Sequence, residues 1–146
     1  NKESNVKNIL VLGFGLGAIA LKLSLNKKIE RIDCVDFDKE LFVVFKKLFP
    51  KYSNKIKLYH NDASKYLENT KIKYDIIIDD VFDGYNKIEL NYIKLKDCLK
   101  PNGKLYLNHI NSLNRNINIK NKLLKLFNNS KNDKIKFYQQ SLYIFQ

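Results

Sequence analysis

Asn8-Ile9-Leu10-Val11-Leu12-Gly13-Phe14-Gly15-Leu16-Gly17 is the stretch that decides the fold. The apolar run Ile9 to Leu12 reads as a short strand buried on both faces, the mark of a parallel sheet. Three glycines at alternate positions follow at once, where the chain has to turn sharply out of the strand. Ala18 to about Leu25 then reads as an apolar helix. A strand, a glycine turn and a helix in that order leave free N–H groups of the helix start at a strand end, with no side chains to hold a ligand off. Gly13-x-Gly15-x-x-Ala18 also satisfies the dinucleotide fingerprint, so the loop alone leaves the ligand open.

Working outward, strands and helices alternate. Arg31 to Asp36 reads as strand two. Lys39 to Phe49 reads as a helix, with Leu41, Phe42, Phe45, Leu48 and Phe49 at helical spacing and Pro50 ending it. Lys55 to His60 is strand three, and Ser64 to Asn69 a short helix. Tyr74 to Asp79 is strand four, followed by a loop at residues 80–84. Ile88 to Leu99 reads as a helix, stopped by the turn residues Lys100-Pro101-Asn102-Gly103. Lys104 to His109 is strand five, Ile117 to Phe127 a helix, and Lys134 to Gln139 and Leu142 to Phe145 two closing strands. The polar stretch Asn111 to Asn118 is the candidate mobile loop. This alternation predicts a three-layer α/β/α domain spanning 1–146, with right-handed crossovers and a mostly parallel seven-stranded sheet. One antiparallel strand is expected near the C-terminus, beside strand five.

Composition removes several classes of function. The 146 residues are 45% hydrophobic, enough for one core, yet hold no apolar run long enough to cross a membrane. Asn1 to Asn5 form no signal-peptide core, and the lack of a starting Met makes the chain read as a segment of something longer. Cys34 and Cys98 have no CxxC partner, so zinc is not expected; as buried free thiols they suit the cytoplasm. The net charge is +12, but it comes from lysines spread along the whole chain, with Arg31 and Arg115 the arginines. Sequence-selective nucleic-acid binding is therefore not expected, since arginine makes most bidentate base contacts.

Two acids then define the ligand. Asp36 ends strand two about 20 residues after the glycine loop, where ribose hydroxyls need an acceptor. Asp38, two residues on, can cap the next helix. Asp62-Ala63 directly follows strand three: the carboxylate can accept from an adenine amine, and the Ala63 N–H can donate to a ring nitrogen. Asp62 can equally cap the helix that starts there. Together these residues resemble the adenosine site of class I S-adenosylmethionine-dependent methyltransferases, which implies Gly13, Phe14, Gly15, Gly17, Asp36, Phe37, Asp62, Ala63 and Asp80 as cofactor-binding residues. S-adenosylmethionine or its decarboxylated form is the cofactor implied.

Tyr74-Asp75-Ile76-Ile77-Ile78-Asp79-Asp80-Val81-Phe82-Asp83-Gly84 carries a narrower resemblance. It is similar to the spermidine synthase group, whose pattern runs aromatic, Asp, four mostly apolar residues, Asp, two residues, Asp. Asp80 and Asp83 fall on the two family acids. The resemblance implies that Asp80 activates the attacking amine and that Asp83 holds the amine substrate. Val35-Asp36-Phe37-Asp38, Asp62-Ala63 and Leu99-Lys100-Pro101-Asn102-Gly103 match as well, so the likeness runs from Ile9 to Phe145. Three places depart from it. Leu16 stands where the glycine loop usually carries an Asp, Gly84 replaces a common Pro, and no small N-terminal β-domain is found in these residues.

These departures put methyl transfer to a small, amine-like acceptor first, with Asp80 as the base. Clustering with Asp79 and Asp83 is expected to raise the acids' pKa values. Aminopropyl transfer from decarboxylated S-adenosylmethionine is the alternative that the resemblance favours, and a non-catalytic cofactor-binding module the third. A homo-oligomer, or a partner segment ahead of Asn1, is left open. The Asp-Asp-Val-Phe sequence after strand four lacks the polar-Pro-Pro-aromatic motif of base amino methylation, and a nicotinamide dehydrogenase would need a further domain. His60 and His109 read as structural, with lining of the acceptor cavity the alternative for His109. Tyr85 reads equally as a substrate cover or as packing.

Overall fold

The computed structural model of the protein describes residues 6–84, 86–110, 116–127, 133–137 and 140–145. A seven-stranded sheet runs through it: β1 (Asn8–Leu12), β2 (Arg31–Asp36), β3 (Ile56–His60), β4 (Tyr74–Asp79), β7 (Leu99–Ile110), β8 (Asp133–Phe137) and β9 (Gln140–Phe145). Their order in space is β3-β2-β1-β4-β7-β9-β8. The first five pair in parallel, and β9 runs antiparallel between β7 and β8. This is the mostly parallel seven-stranded α/β arrangement predicted above, including the reversed strand beside strand five. The polar stretch 111–118 and Tyr85 fall largely or wholly outside the described residues.

Strand alternation sorts the core into two layers. Ile9, Val11, Ile32 and Cys34 point to the face covered by α1 (Ala18–Ser24) and α2 (Lys39–Leu48), where they meet Ala20, Phe42 and Phe45. Leu10, Leu12, Val35 and Ile77 point to the other face and pack on α3 (Ala63–Asn69), α4 (Tyr92–Asp97) and α5 (Asn116–Leu126). Cys34 and Cys98 are buried free thiols, as expected, and burial pushes both thiols up.

Three elements differ from the sequence expectation. The loop after β4 closes into a two-stranded antiparallel ribbon, β5 (Phe82–Asp83) and β6 (Asn86–Lys87), because Gly84 at φ 57 supplies the left-handed turn. The helix expected from Ile88 begins only at Tyr92, where the Asn91 side chain caps it by accepting the Lys94 N–H at 3.2 Å. The turn residues 100–103 lie within β7 as a bulge: Tyr74 faces Leu99 but Ile76 already faces Lys104, and Asn102 takes φ 64.

One polar cluster is built into the core. Asp33 is fully buried; Arg31 Nε donates to its two oxygens at 2.8 and 2.9 Å, and the Tyr74 and Tyr66 hydroxyls donate at 2.6 and 3.2 Å. Burial pushes the Tyr66 hydroxyl up to about 12 and Tyr74 higher still, so both stay protonated donors. Asp33→Ala removes the acceptor that these hydroxyls share. It should destabilise the fold by about 1.5–3 kcal/mol, the range for hydrogen bonds to a charged partner, with the half-exposed Arg31 adding little. Urea denaturation followed by circular dichroism checks this; an unchanged midpoint would show the cluster to be neutral.

Candidate active site

The carboxyl ends of β1, β2, β3 and β4 open into a cavity of about 550 Å³. Open parallel sheets place ligand sites at this edge. Gly13 forms its floor. The Gly13 N–H donates to the Val35 carbonyl at 3.0 Å, while the Asp80 N–H donates to Leu12 O at 2.9 Å. A Cβ on Gly13, at φ +83, would sit 2.3 Å from the Asp80 carbonyl oxygen, so no other residue fits there. Gly15 has no heavy atom within 4 Å of its missing Cβ and lines the cavity openly.

Asp36 holds the glycine loop to strand two. Its Oδ2 accepts the Phe14 N–H at 2.7 Å and its Oδ1 accepts the Asp38 N–H at 3.0 Å. Each oxygen has one described donor and further acceptor capacity, and the residue lines the cavity. Asp38 caps α2 through the Glu40 N–H at 2.9 Å, as expected. Asp62 caps α3 through the Lys65 N–H at 2.9 Å, and it also lines the cavity beside Asn61 and Ala63. Phe37, 70% exposed, stands at the rim, and His60 Nε2 sits 2.9 Å from the Phe37 carbonyl oxygen, a structural role.

Asp80 lies just past β4 on the opposite wall. Burial pushes its carboxyl above the ordinary carboxylate range. The Asn108 amide, which donates to Oδ1 at 2.7 Å, and the Lys87 ammonium pull the other way, while Asp79 pushes up. Asp79 itself is no member of an acid cluster at the cavity. It is fully buried, paired with the Lys87 ammonium, and accepts from the Tyr92 hydroxyl at 3.2 Å.

Of the residues expected to bind cofactor, Gly13, Gly15, Asp36, Phe37, Asp62, Ala63 and Asp80 line the cavity. Phe14 and Gly17 act from behind: the Phe14 ring is buried on Phe42 and Phe45, and a Cβ on Gly17 would sit 2.6 Å from the Phe14 and Phe45 rings. Asp83 is exposed on β5, flanked by the lining residues Phe82 and Gly84. Asp38, Leu41, Asn61, Phe82 and Asn108 were not foreseen as lining. Asn108 left a signal, a polar residue at the carboxyl end of a buried strand; Lys87, on the acid loop, left none. Among the described residues no His, Cys, Asp or Glu cluster suits a metal, and no helix is long and apolar enough to cross a membrane.

Comparison with known proteins matches residues 1–143 to the spermine/spermidine synthase domain. Similar curated proteins include the polyamine aminopropyltransferase of Clostridium botulinum, 36% identical over 86 residues, which are 56% of this chain and 30% of the relative. That of Buchnera aphidicola is 32% identical over 109 residues, 67% of this chain and 38% of the relative. The chain thus spans about a third of the length of these relatives. Among solved structures, a spermidine synthase in complex with the transition state analogue AdoDATO superposes with a TM-score of 0.83 at 15% identity, covering 97% of this chain and 55% of that one. Human methyltransferase-like protein 13 in complex with SAH gives 0.81 at 21%, covering 97% and 72%. At these identities the structures establish the shared fold.

The floor generates a direct test. Gly13→Ala places a methyl group against backbone and forces a left-handed alanine, which alone costs about 1–2 kcal/mol. The variant should melt below the parent and lose methylthioadenosine binding in calorimetry. Unaltered binding would show that the loop does not form this floor.

Proposed function

The chain belongs to the spermine/spermidine synthase domain family, and from that premise we propose that it transfers an aminopropyl group from decarboxylated S-adenosylmethionine to a small amine. The observation that carries this is the charge of the cavity. Among the described residues, the charged side chains that line it are Asp36, Asp38, Asp62 and Asp80, with no Lys, Arg or His beside them, in a chain of net charge +12. Such walls suit a donor and an acceptor that both carry positive charge, and they offer no basic side chain to the carboxylate of intact S-adenosylmethionine. We take residues 1–146 as a single domain that holds the whole adenosine site.

The residues present fit the donor. Gly13 and Gly15 let it approach the main chain, Asp36 has acceptor capacity left for the ribose hydroxyls, and Asp62 and Ala63 stand where the adenine edge would be read. Bound there, the donor supplies a carbon activated by its sulfonium. Asp80 receives the proton that the attacking amine gives up as its nitrogen bonds to that carbon and the carbon–sulfur bond pair returns to sulfur. Asn108 holds one oxygen of Asp80, which leaves the other for the amine. Asp83, on the ribbon at the rim, would draw the cationic acceptor in. A second reading, methyl transfer, is favoured by Leu16: this residue is 62% exposed and puts no acid on the glycine loop to hold the donor's amine.

Asp80→Asn should preserve the fold and donor binding while lowering turnover by about 10²–10⁴-fold, the contribution of a positioned proton acceptor. Because burial raises the Asp80 carboxyl, the acidic limb of kcat/KM in the parent should lie above the ordinary carboxylate range. Activity is then lost as pH falls through that limb, where the base becomes protonated. Asp36→Ala should weaken donor binding by about 1.5–3 kcal/mol. Each donor is assayed with putrescine and a panel of other amines. Transfer of methyl groups alone would establish the second reading, and no transfer from either donor would overturn both.

A further inference from the structure

Lys87 is a charged side chain placed where charge is expensive. It is 1% exposed, paired with an Asp79 carboxylate that is itself fully buried. Its ammonium also donates to the Val81 carbonyl at 2.9 Å and lies 5.0 Å from the centre of the Phe82 ring. The N–H of Ile88 reaches the same Val81 carbonyl at 3.1 Å, and Lys87 faces Phe82 across the ribbon. These contacts fall on residues 79, 81 and 82 and so bracket Asp80. Val81, Phe82 and Gly84 all line the cavity.

Stability does not explain such a pair. Desolvating two charges generally cancels their attraction, and an apolar pair of similar volume holds a core as well or better. Asp79 ends the strand Ile76-Ile77-Ile78, where a further aliphatic residue would pack without that penalty. What an aliphatic pair would lack is direction: an ammonium fixes a carboxylate, a carbonyl and a ring face at once.

We propose that Lys87 is a positioning residue of this site: paired with Asp79 behind the cavity wall, it pins the ribbon that follows β4 and so fixes where the Asp80 carboxylate points. The role given to Asp80 rests on the transferase reading above; the pinning of the ribbon does not. Around Asp80 the charged and polar groups are Asp79 on β4, Lys87 on β6 and Asn108 on β7.

Lys87→Met alone leaves Asp79 buried without its cation and would unfold the protein for that reason, so the deciding variant is Asp79→Leu/Lys87→Met. With the desolvation of two charges removed but the Tyr92 hydroxyl left without its Asp79 acceptor, it should melt close to the parent temperature. It should also exchange the amide hydrogens of residues 81–84 about tenfold or more faster, with the rest of the sheet unchanged. In the transfer assay kcat should fall by about 10²-fold, as for a misplaced catalytic group, while KM for the donor stays within about threefold. A double variant that exchanges and turns over like the parent would overturn the proposal, because the pair would then serve only to neutralise itself. One that melts far below the parent would also overturn it, because the pair would then be a support of the whole fold. If the parent transfers nothing, the transferase reading fails and the exchange result still decides the ribbon.

Discussion

At Gly13 the backbones of three strands meet with nothing between them. The residue leaves β1, donates to the Val35 carbonyl at 3.0 Å, and lies so close to the Asp80 carbonyl that a Cβ would stand 2.3 Å from it. The site depends on this contact. It closes the floor of the cavity, brings the ends of β2 and β4 to opposite sides of it, and sets Asp36 and Asp80 on facing walls. Steric exclusion is a harder constraint than any hydrogen bond in the site, since a side chain here has nowhere to go.

Asp36 adds a second layer of order. By accepting the Phe14 and Asp38 N–H groups, it joins the glycine loop to the entry of α2, which buries the Phe14 ring against Phe42 and Phe45. A carboxylate held by two N–H donors keeps its orientation. The cavity collects acids although the chain as a whole is strongly basic. A ligand in the cavity feels the near aspartates more than distant lysines screened by salt.

Much of this was legible in the sequence, and the reason is local. The glycine loop, the acid that ends β2 and the acid after β3 each sit at a strand end, where spacing alone brings them to one edge of a parallel sheet. The reversed strand near the C-terminus was expected with the fold, not read from that spacing. What escaped depended on contacts that spacing does not encode. Asp79 and Asp80 looked equivalent as neighbours in a run of acids; only the ribbon shows that one is neutralised by Lys87 and the other faces the cavity. Asn91 outcompeted the apolar periodicity that placed a helix start at Ile88, because a cap satisfies N–H groups that periodicity ignores. Asp83 matched the pattern of its family yet lies on the exposed side of β5, since side chains alternate along a strand and its neighbour Phe82 takes the cavity face.

The contrast between Asp79 and Asp80 carries the chemistry furthest. The two carboxyls are adjacent in sequence and burial pushes both upward. Asp79 has a cation and a tyrosine hydroxyl to satisfy it and is closed off from solvent, so it has no capacity to exchange protons with a ligand. Asp80 lines the cavity, half-buried, and the Asn108 amide donates to its Oδ1. Different surroundings thus set adjacent acids apart, one closed into the core and one on the cavity wall. The same logic orders the two transfer readings. Leu16 removes an acid from the donor side of the cavity, and the acids that remain on its walls still select for positive charge. Donor choice therefore turns on whether the carboxylate of intact S-adenosylmethionine is tolerated between Asp36, Asp62 and Asp80. Among the described lining residues no basic side chain compensates it, which weighs towards a decarboxylated donor.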